Sequence, residues 1–261
     1  MNEVNKTLYI PLYGKAYVSR RGLFLDDKKA EDIWMKAGFP LKGKSKSKWL
    51  AFYMGIRGAV FDNWLRKQMA LMPEAVIVHI GCGLDSRVLR VGTEGHKWFD
   101  VDFPDVIAER KRFFPAFPGY EMVAGDAKYP NFLAGIPKNV PAIVVMEGVS
   151  MYLTPGDLKS LTGALHSHFR RISLLMDCYS EFAARMSKIK NPVNDVGVTR
   201  VYGLDHPEAL ERSGFIFVRE HPMTPQGYID QLHGTEKAIF KKLYAGKMSE
   251  KLYRLYEYRG N

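Results

Sequence analysis

The stretch "VIVHIGCGLDSRVLRVG", Val76 to Gly92, carries the reading of the fold. A short apolar run ends in two glycines one residue apart, Gly81 and Gly83, and a helix-like segment holding an acid and two arginines follows. A strand that enters such a turn and then a helix puts backbone amides at the carboxyl edge of an open α/β sheet, where ligands bind. Glycine there lets a ligand approach the backbone closely.

The same alternation continues down the chain. Val76–Ile80, Lys97–Val101, Glu121–Ala124, Ala142–Met146 and Ile172–Asp177 read as strands, most of them near-continuous apolar runs suited to burial on both faces. Between them, Ser86–Val91, Pro104–Phe114 and Thr154–Phe169 read as helices, the last with Thr154 as cap and Pro155 next. Phe215–Glu220 and Leu252–Tyr258 read as two late strands around a helix near Gln226–Tyr244. Seven strands in this order predict a doubly wound, mostly parallel sheet.

The N-terminal quarter reads as helices. In "DDKKAEDIWMKAG", Asp26 is the expected cap, Ala30, Ile33, Trp34 and Ala37 share a face, and Gly38 stops the helix. In the next segment Leu50, Tyr53, Met54, Phe61, Trp64 and Leu65 form an apolar stripe with Arg57 in its middle. A guanidinium there either snorkels from the edge or needs an anion, because burying it unpaired costs several kcal/mol. Asp62, the nearby acid, points to another face. Gly55 and Gly58 predict an irregular helix.

Composition bounds the function. The chain has 261 residues, 46% hydrophobic and 25% charged, as soluble globular proteins do. No apolar run approaches the roughly 18 residues that span a bilayer, so a cytoplasmic protein with no membrane partner is expected. Cys82 and Cys178, without a C-x-x-C, give no thiolate metal site. His166 and His168, two apart, would point to different helix faces, so no metal is expected. The net charge of +10 is uneven: residues 1–70 hold 14 basic against 6 acidic side chains, whereas residues 71–180 hold 11 against 12. Much of the excess lies in Lys42–Lys48, either a solvated loop or a segment that steers small anions.

The glycine pair gains meaning from two later acids. Asp102 ends the second strand, where a carboxylate can accept both hydroxyl protons of a ribose. Asp126, expected to close the third strand, falls where an adenine edge would lie. A dinucleotide fingerprint wants a third glycine or alanine where Ser86 stands, so NAD is the runner-up. S-adenosylmethionine has no pyrophosphate and ends in a carboxylate, a natural partner for Arg57.

Five blocks, "IPLYGKAYVSRRGLFLDD", "IRGAVFDNWL", "IGCGLDSRVLR" with "FDVDFPDVIAERK", "EGVSMYLTP" and "VYGLDHPEALERSGF", make the chain resemble the leucine carboxyl methyltransferase family over nearly its whole length. The resemblance implies a class I methyltransferase, with residues 1–70 as a helical cap over the cofactor and 71–261 as a Rossmann-like core. It implies that Lys15 and Arg57 hold the methionine carboxylate, that Gly81 and Gly83 line the cleft, and that Asp102 holds the ribose. Asp126 and Ala127 would reach the adenine, and Glu147 would face the methionine portion. The acceptor would be a carboxylate or phenol of a small acidic molecule, with residues 180–205 shaping its pocket and no nucleic acid involved. An RNA methyltransferase or a non-catalytic binding protein are the alternatives. A phenol would call for a base, for which Tyr152, His206 and His221 are candidates.

Overall fold

The computed structural model describes residues 7–38, 41, 43–187, 200–246 and 251–260. Three helices, α1 (Tyr9–Arg20), α2 (Lys28–Ala37) and α3 (Lys48–Leu71), precede the sheet. Then come β1 (Val76–Ile80), α4 (Arg87–Val91), β2 (Trp98–Asp102), α5 (Pro104–Lys111), β3 (Tyr120–Ala124) and β4 (Pro141–Met146). They are followed by α6 (Pro155–His168), β5 (Arg171–Tyr179), α7 (Glu181–Met186), β6 (Phe215–Glu220), α8 (Gln226–Ile229), α9 (Gly234–Tyr244) and β7 (Tyr253–Gly260).

The seven strands lie in the order β3-β2-β1-β4-β5-β7-β6. The first five are parallel, and β7 runs antiparallel to both β5 and β6. β1 pairs with β2 on one side and β4 on the other, so the order of strands reverses at β1. The carboxyl ends of β1 and β4 therefore flank the crevice where such sheets take ligands. β1, β4 and nearly all of β5 are fully buried, which accounts for their near-continuous apolar runs.

Apolar side chains cover both faces. On one, Phe61, Leu65 and Trp64 of α3 join Ile77, Ile143, Val145, Leu175 and Leu255 of the sheet. On the other, Leu158, Leu161 and Leu165 of α6 join Val78, Val144 and Leu174. Thr154 caps α6 through a capping box with Asp157.

Several expectations shift in detail. The α2 cap is Asp27: its carboxylate accepts the Ala30 amide while also taking Ser86 and Arg90, whereas the side chain of Asp26 is 78% exposed. α3 is one unbroken helix of 24 residues, buried around most of its circumference instead of along one stripe. Its glycines serve close packing. A Cβ on Gly55 would lie 2.6 Å from Val18 Cγ2, and one on Gly58 would lie 2.9 Å from Lys15 Cε, so α1 crosses α3 at short range. The helix expected near Gln226–Tyr244 is two, broken between Ile229 and Gly234. α5 ends at Lys111, three residues early, and Asp126 lies two residues beyond β3.

Candidate active site

A cavity of about 900 Å³ opens at the carboxyl ends of β1, β2 and β4. Lys15, Arg57, Gly81, Gly83, Asp102, Asp126, Ala127 and Glu147 all line it, although they come from six separate places along the chain. Ligand pockets run from about 300 to 1,000 Å³, so this one lies near the upper end of that range.

The turn after β1 shapes one wall. Gly81 and Gly83 have φ of +70° and +50°, left-handed values that a side chain would strain. The Gly83 amide donates to Asp102 Oδ2 at 2.7 Å and the Phe103 amide to Oδ1 at 2.8 Å, which fixes the carboxylate at the end of β2. Burial raises the Asp102 carboxyl to about 6, against the pull of those two amides. The Asp126 carboxylate accepts the Lys128 amide at 2.9 Å and so holds its own turn.

Beside this wall lies a buried ionic cluster. Lys15 Nζ contacts Asp85 Oδ2 at 2.8 Å and Glu147 Oε1 at 3.0 Å. Arg57 Nε donates to Glu147 Oε1 at 3.2 Å, and its Nη1 donates to Asp177 Oδ2 at 2.9 Å and to the Tyr253 hydroxyl at 2.8 Å. Arg87 reaches Asp62, Asp85 and Glu147, and Arg90 reaches Asp27, Asp62 and Asp85. Among the described residues, four cations thus meet five carboxylates, Asp27, Asp62, Asp85, Glu147 and Asp177. Burial pushes the Glu147 carboxyl up, but Lys15, Arg87 and Arg57 outweigh it and hold the group well below the ordinary carboxylate range. Asp177 goes the other way: burial raises its carboxyl, and Arg57 and the Gly148 amide only partly offset this.

Arg57 is therefore buried as its stripe position required, but strands β4 and β5 already supply anions. Asp62 is buried too, and its partners are Arg87 and Arg90. Asp85, Arg87, Asp177 and Tyr253 were not singled out from sequence. For Asp177 a signal existed, an acid inside the apolar run "ISLLMDCY".

The opposite end of the cavity is apolar and aromatic. Tyr53, Met151, Tyr152, Tyr179, Tyr244 and Tyr253 line it, and Met186 and Leu243 stand at its rim, 47% and 59% exposed. α7 supplies Ala183 and Met186 from the segment expected to shape the acceptor pocket, but residues 188–199 of that segment lie outside the described residues. α9 and the start of β7, not anticipated, supply Leu243, Tyr244, Leu252 and Tyr253 around the same space. Of the three candidate bases, only Tyr152 lines the cavity, and burial raises its hydroxyl far above neutrality. His221 is instead turned to Glu257, 2.7 Å away. Lys44, Lys46 and Lys48 do not line the cavity, Lys48 pairs with Glu236, and Lys42 lies outside the described residues. Among the described residues no group of three potential ligands could hold a metal, and no helix is long and apolar enough to cross a membrane.

Comparison with known proteins agrees with this geometry. Residues 9–118 match the model of the leucine carboxyl methyltransferase family. The chain is 28% identical over 240 residues to the tetracenomycin polyketide synthesis O-methyltransferase TcmP of Streptomyces glaucescens, covering 90% of this chain and 89% of that one. In fold it is similar to magnesium protoporphyrin IX methyltransferase from Synechocystis PCC 6803 with bound SAH (TM-score 0.52, 13% identity, 90% of this chain and 100% of that one). It is also similar to the N-methyltransferase NodS from Bradyrhizobium japonicum WM9 in complex with S-adenosyl-l-homocysteine (TM-score 0.53, 11% identity, 80% and 87%).

Proposed function

We propose, from the match of residues 9–118 to the leucine carboxyl methyltransferase family and the likeness to TcmP, that this S-adenosylmethionine-dependent methyltransferase is a member of that family and methylates an oxygen of a small acidic molecule, a carboxylate or a phenol. One observation carries the reading: a single cavity joins a charged end suited to the cofactor with an aromatic end suited to an acceptor body.

The donor set fits S-adenosylmethionine. Asp102, held by two backbone amides, keeps lone pairs for ribose hydroxyls, and Gly81 and Gly83 leave the turn open beside it. Asp126 and Ala127, which line the same cavity, are assigned to the adenine edge. Lys15 and Arg57 offer cationic hydrogen-bond donors for the methionine carboxylate, and Glu147 offers an anion for its ammonium. When bound, the cofactor supplies an activated methyl on a sulfonium whose leaving group is a neutral thioether. The chain's task is alignment and exclusion of water, and positioning alone is worth about 7–11 kcal/mol.

A nucleic-acid enzyme would show a broad basic face interleaved with aromatics. Here the cavity cations Lys15 and Arg57 are buried and paired, and the tyrosines face a cavity. Labelled methyl from S-adenosylmethionine, offered to total RNA and to a library of aromatic and polyketide-like acids and phenols, tests the proposal. Label in the small-molecule pool is expected; label confined to RNA overturns it.

A further inference from the structure

His79 interrupts the apolar run of β1 and is 1% exposed, yet both of its ring nitrogens have partners. Nδ1 lies 3.2 Å from Asp100 Oδ1, and Nε2 lies 3.1 Å from Arg87 Nη1. The second contact fixes the tautomer. A guanidinium can only donate, so Nε2 accepts, and the single ring proton stays on Nδ1, where the Asp100 carboxylate takes it. Burial, helped by Arg87, makes a second proton harder to add than on an ordinary imidazole, although Asp100 pulls the other way.

The two partners of the ring lead to different parts of the wall proposed for the cofactor. Asp100 also accepts from Trp98 Nε1 at 2.8 Å, the Tyr120 hydroxyl at 2.7 Å and Arg110 Nη2 at 2.5 Å. Arg110 Nη1 in turn donates to the Gly83 carbonyl at 3.0 Å, in the turn whose amide fixes Asp102. On the other side, Arg87 divides its remaining N–H groups among Asp62 at 2.8 Å, Asp85 at 3.2 Å and Glu147. Asp85 and Glu147 together hold Lys15. Arg87 thus meets three carboxylates and one neutral acceptor. A carboxylate in place of the ring would add another buried anion to a cluster that already holds five against four cations, at a desolvation cost the imidazole avoids.

We infer that His79 is a positioning residue for the amino-acid end of S-adenosylmethionine: a neutral imidazole that ties Arg87 back to Asp100, so that Arg87 holds the Glu147 and Asp85 carboxylates and, through them, Lys15. His79 acts through Arg87 and touches no reacting atom. The inference rests on the placing of Lys15, Arg57 and Glu147 at the methionine portion of the cofactor.

Glutamine and asparagine separate the two ring nitrogens. His79→Gln offers a carbonyl in the place of Nε2 and keeps an acceptor for Arg87, whereas His79→Asn offers an amide donor in the place of Nδ1 and leaves an Arg87 N–H unpaired. By calorimetry on the full chain, His79→Asn should bind S-adenosylhomocysteine about tenfold more weakly, the size of one lost hydrogen bond to a charged group, with His79→Gln within about threefold of the unmutated protein. Adenosine, which lacks the amino-acid end, should bind all three alike. Equal losses in the two variants, no loss in either, or a loss shared by adenosine overturns the inference and makes His79 a support for the sheet. Glu147→Gln separates this from the reading beneath it: unchanged S-adenosylhomocysteine affinity there sinks both, whereas a loss there with none in His79→Asn sinks the inference alone. Should a variant fail to fold, nitrogen-15 NMR of the histidine-labelled, unmutated protein decides. His79 and His96, whose Nδ1 lies 2.7 Å from the Ala75 carbonyl, should appear at neutral pH as two slowly exchanging rings protonated on Nδ1 alone. A single such ring, or an imidazolium at His79, overturns the inference.

Discussion

At the charged end of the cavity, proposed for the cofactor, nine charged side chains are locked to one another, most at 2.5–3.2 Å, and all but hidden from water. At the aromatic end, proposed for the acceptor, tyrosine rings and the side chains of Met151, Met186 and Leu243 meet the same space, with Met186 and Leu243 exposed at the rim. The first arrangement is stiff, because moving any one member leaves a buried charge without its partner. The second tolerates change, since an apolar wall fits any acceptor body of the right breadth. A methyltransferase has one donor and, across relatives, many acceptors, and the contrast between the two ends matches that asymmetry.

The contrast is broken most directly at Arg57. Arg57→Ala strips Glu147 and Asp177 of a partner and should cost about 3–5 kcal/mol of stability, measured by urea denaturation. It should also weaken S-adenosylmethionine more than adenosine, which lacks the carboxylate. Equal losses for both ligands would make Arg57 a purely structural cation.

Asp102 comes next. Asp102→Ala should weaken the cofactor by about 2–3 kcal/mol, the worth of charged hydrogen bonds to a ribose, while the apo protein stays folded. The sign of its pH dependence follows from a carboxyl raised from 3.8 to about 6. Its contribution to the apo fold is fully present below 3.8 and is lost as pH rises through 6, because the folded state holds the proton more tightly. Cofactor affinity runs opposite: ribose hydroxyls donate to the ionised form, so binding should weaken as pH falls through 6. Titration calorimetry from pH 5 to 8, with Asp102→Asn as the flat control, checks it.

Smaller effects sharpen the picture. Gly55→Ala forces a Cβ against Val18 and should cost about 1–3 kcal/mol as overpacking, read as a lower thermal midpoint. Glu236 of α9 pairs with Arg21 at 2.8 Å and Lys48 at 2.9 Å, linking the acceptor-end helix to α1 and α3. These pairs are partly exposed, so Glu236→Gln should change stability by less than about 1 kcal/mol, and less still in high salt. A larger loss would mean that α9 is held as rigidly as the cofactor end.

What the sequence made legible follows the same division. Gly81, Gly83, Asp102 and Glu147 each sit at a strand end, so reading the strands placed them, and the structure brings all eight expected residues to one cavity. Arg57 was visible as a charge in need of an anion, but its partners lie 90 and 120 residues away, on strands that meet α3 only in the folded chain. Asp27 displaces its neighbour Asp26 as helix cap for a comparable reason. Local pattern cannot separate two adjacent acids, whereas Ser86 and Arg90, brought in by the β1–α4 turn, select one of them. The acceptor wall was the least legible, since side chains from α3, β5, α7, α9 and β7 converge there without any shared motif.

A crystal structure with S-adenosylhomocysteine bound tests the division of the cavity most directly. The account predicts ribose hydroxyls on the Asp102 carboxylate, the ligand's own carboxylate within hydrogen-bond reach of Lys15 and Arg57, and the aromatic end left free beside Tyr253. A ligand lying across Tyr53, Tyr179 and Tyr244, with Asp102 untouched, would contradict it.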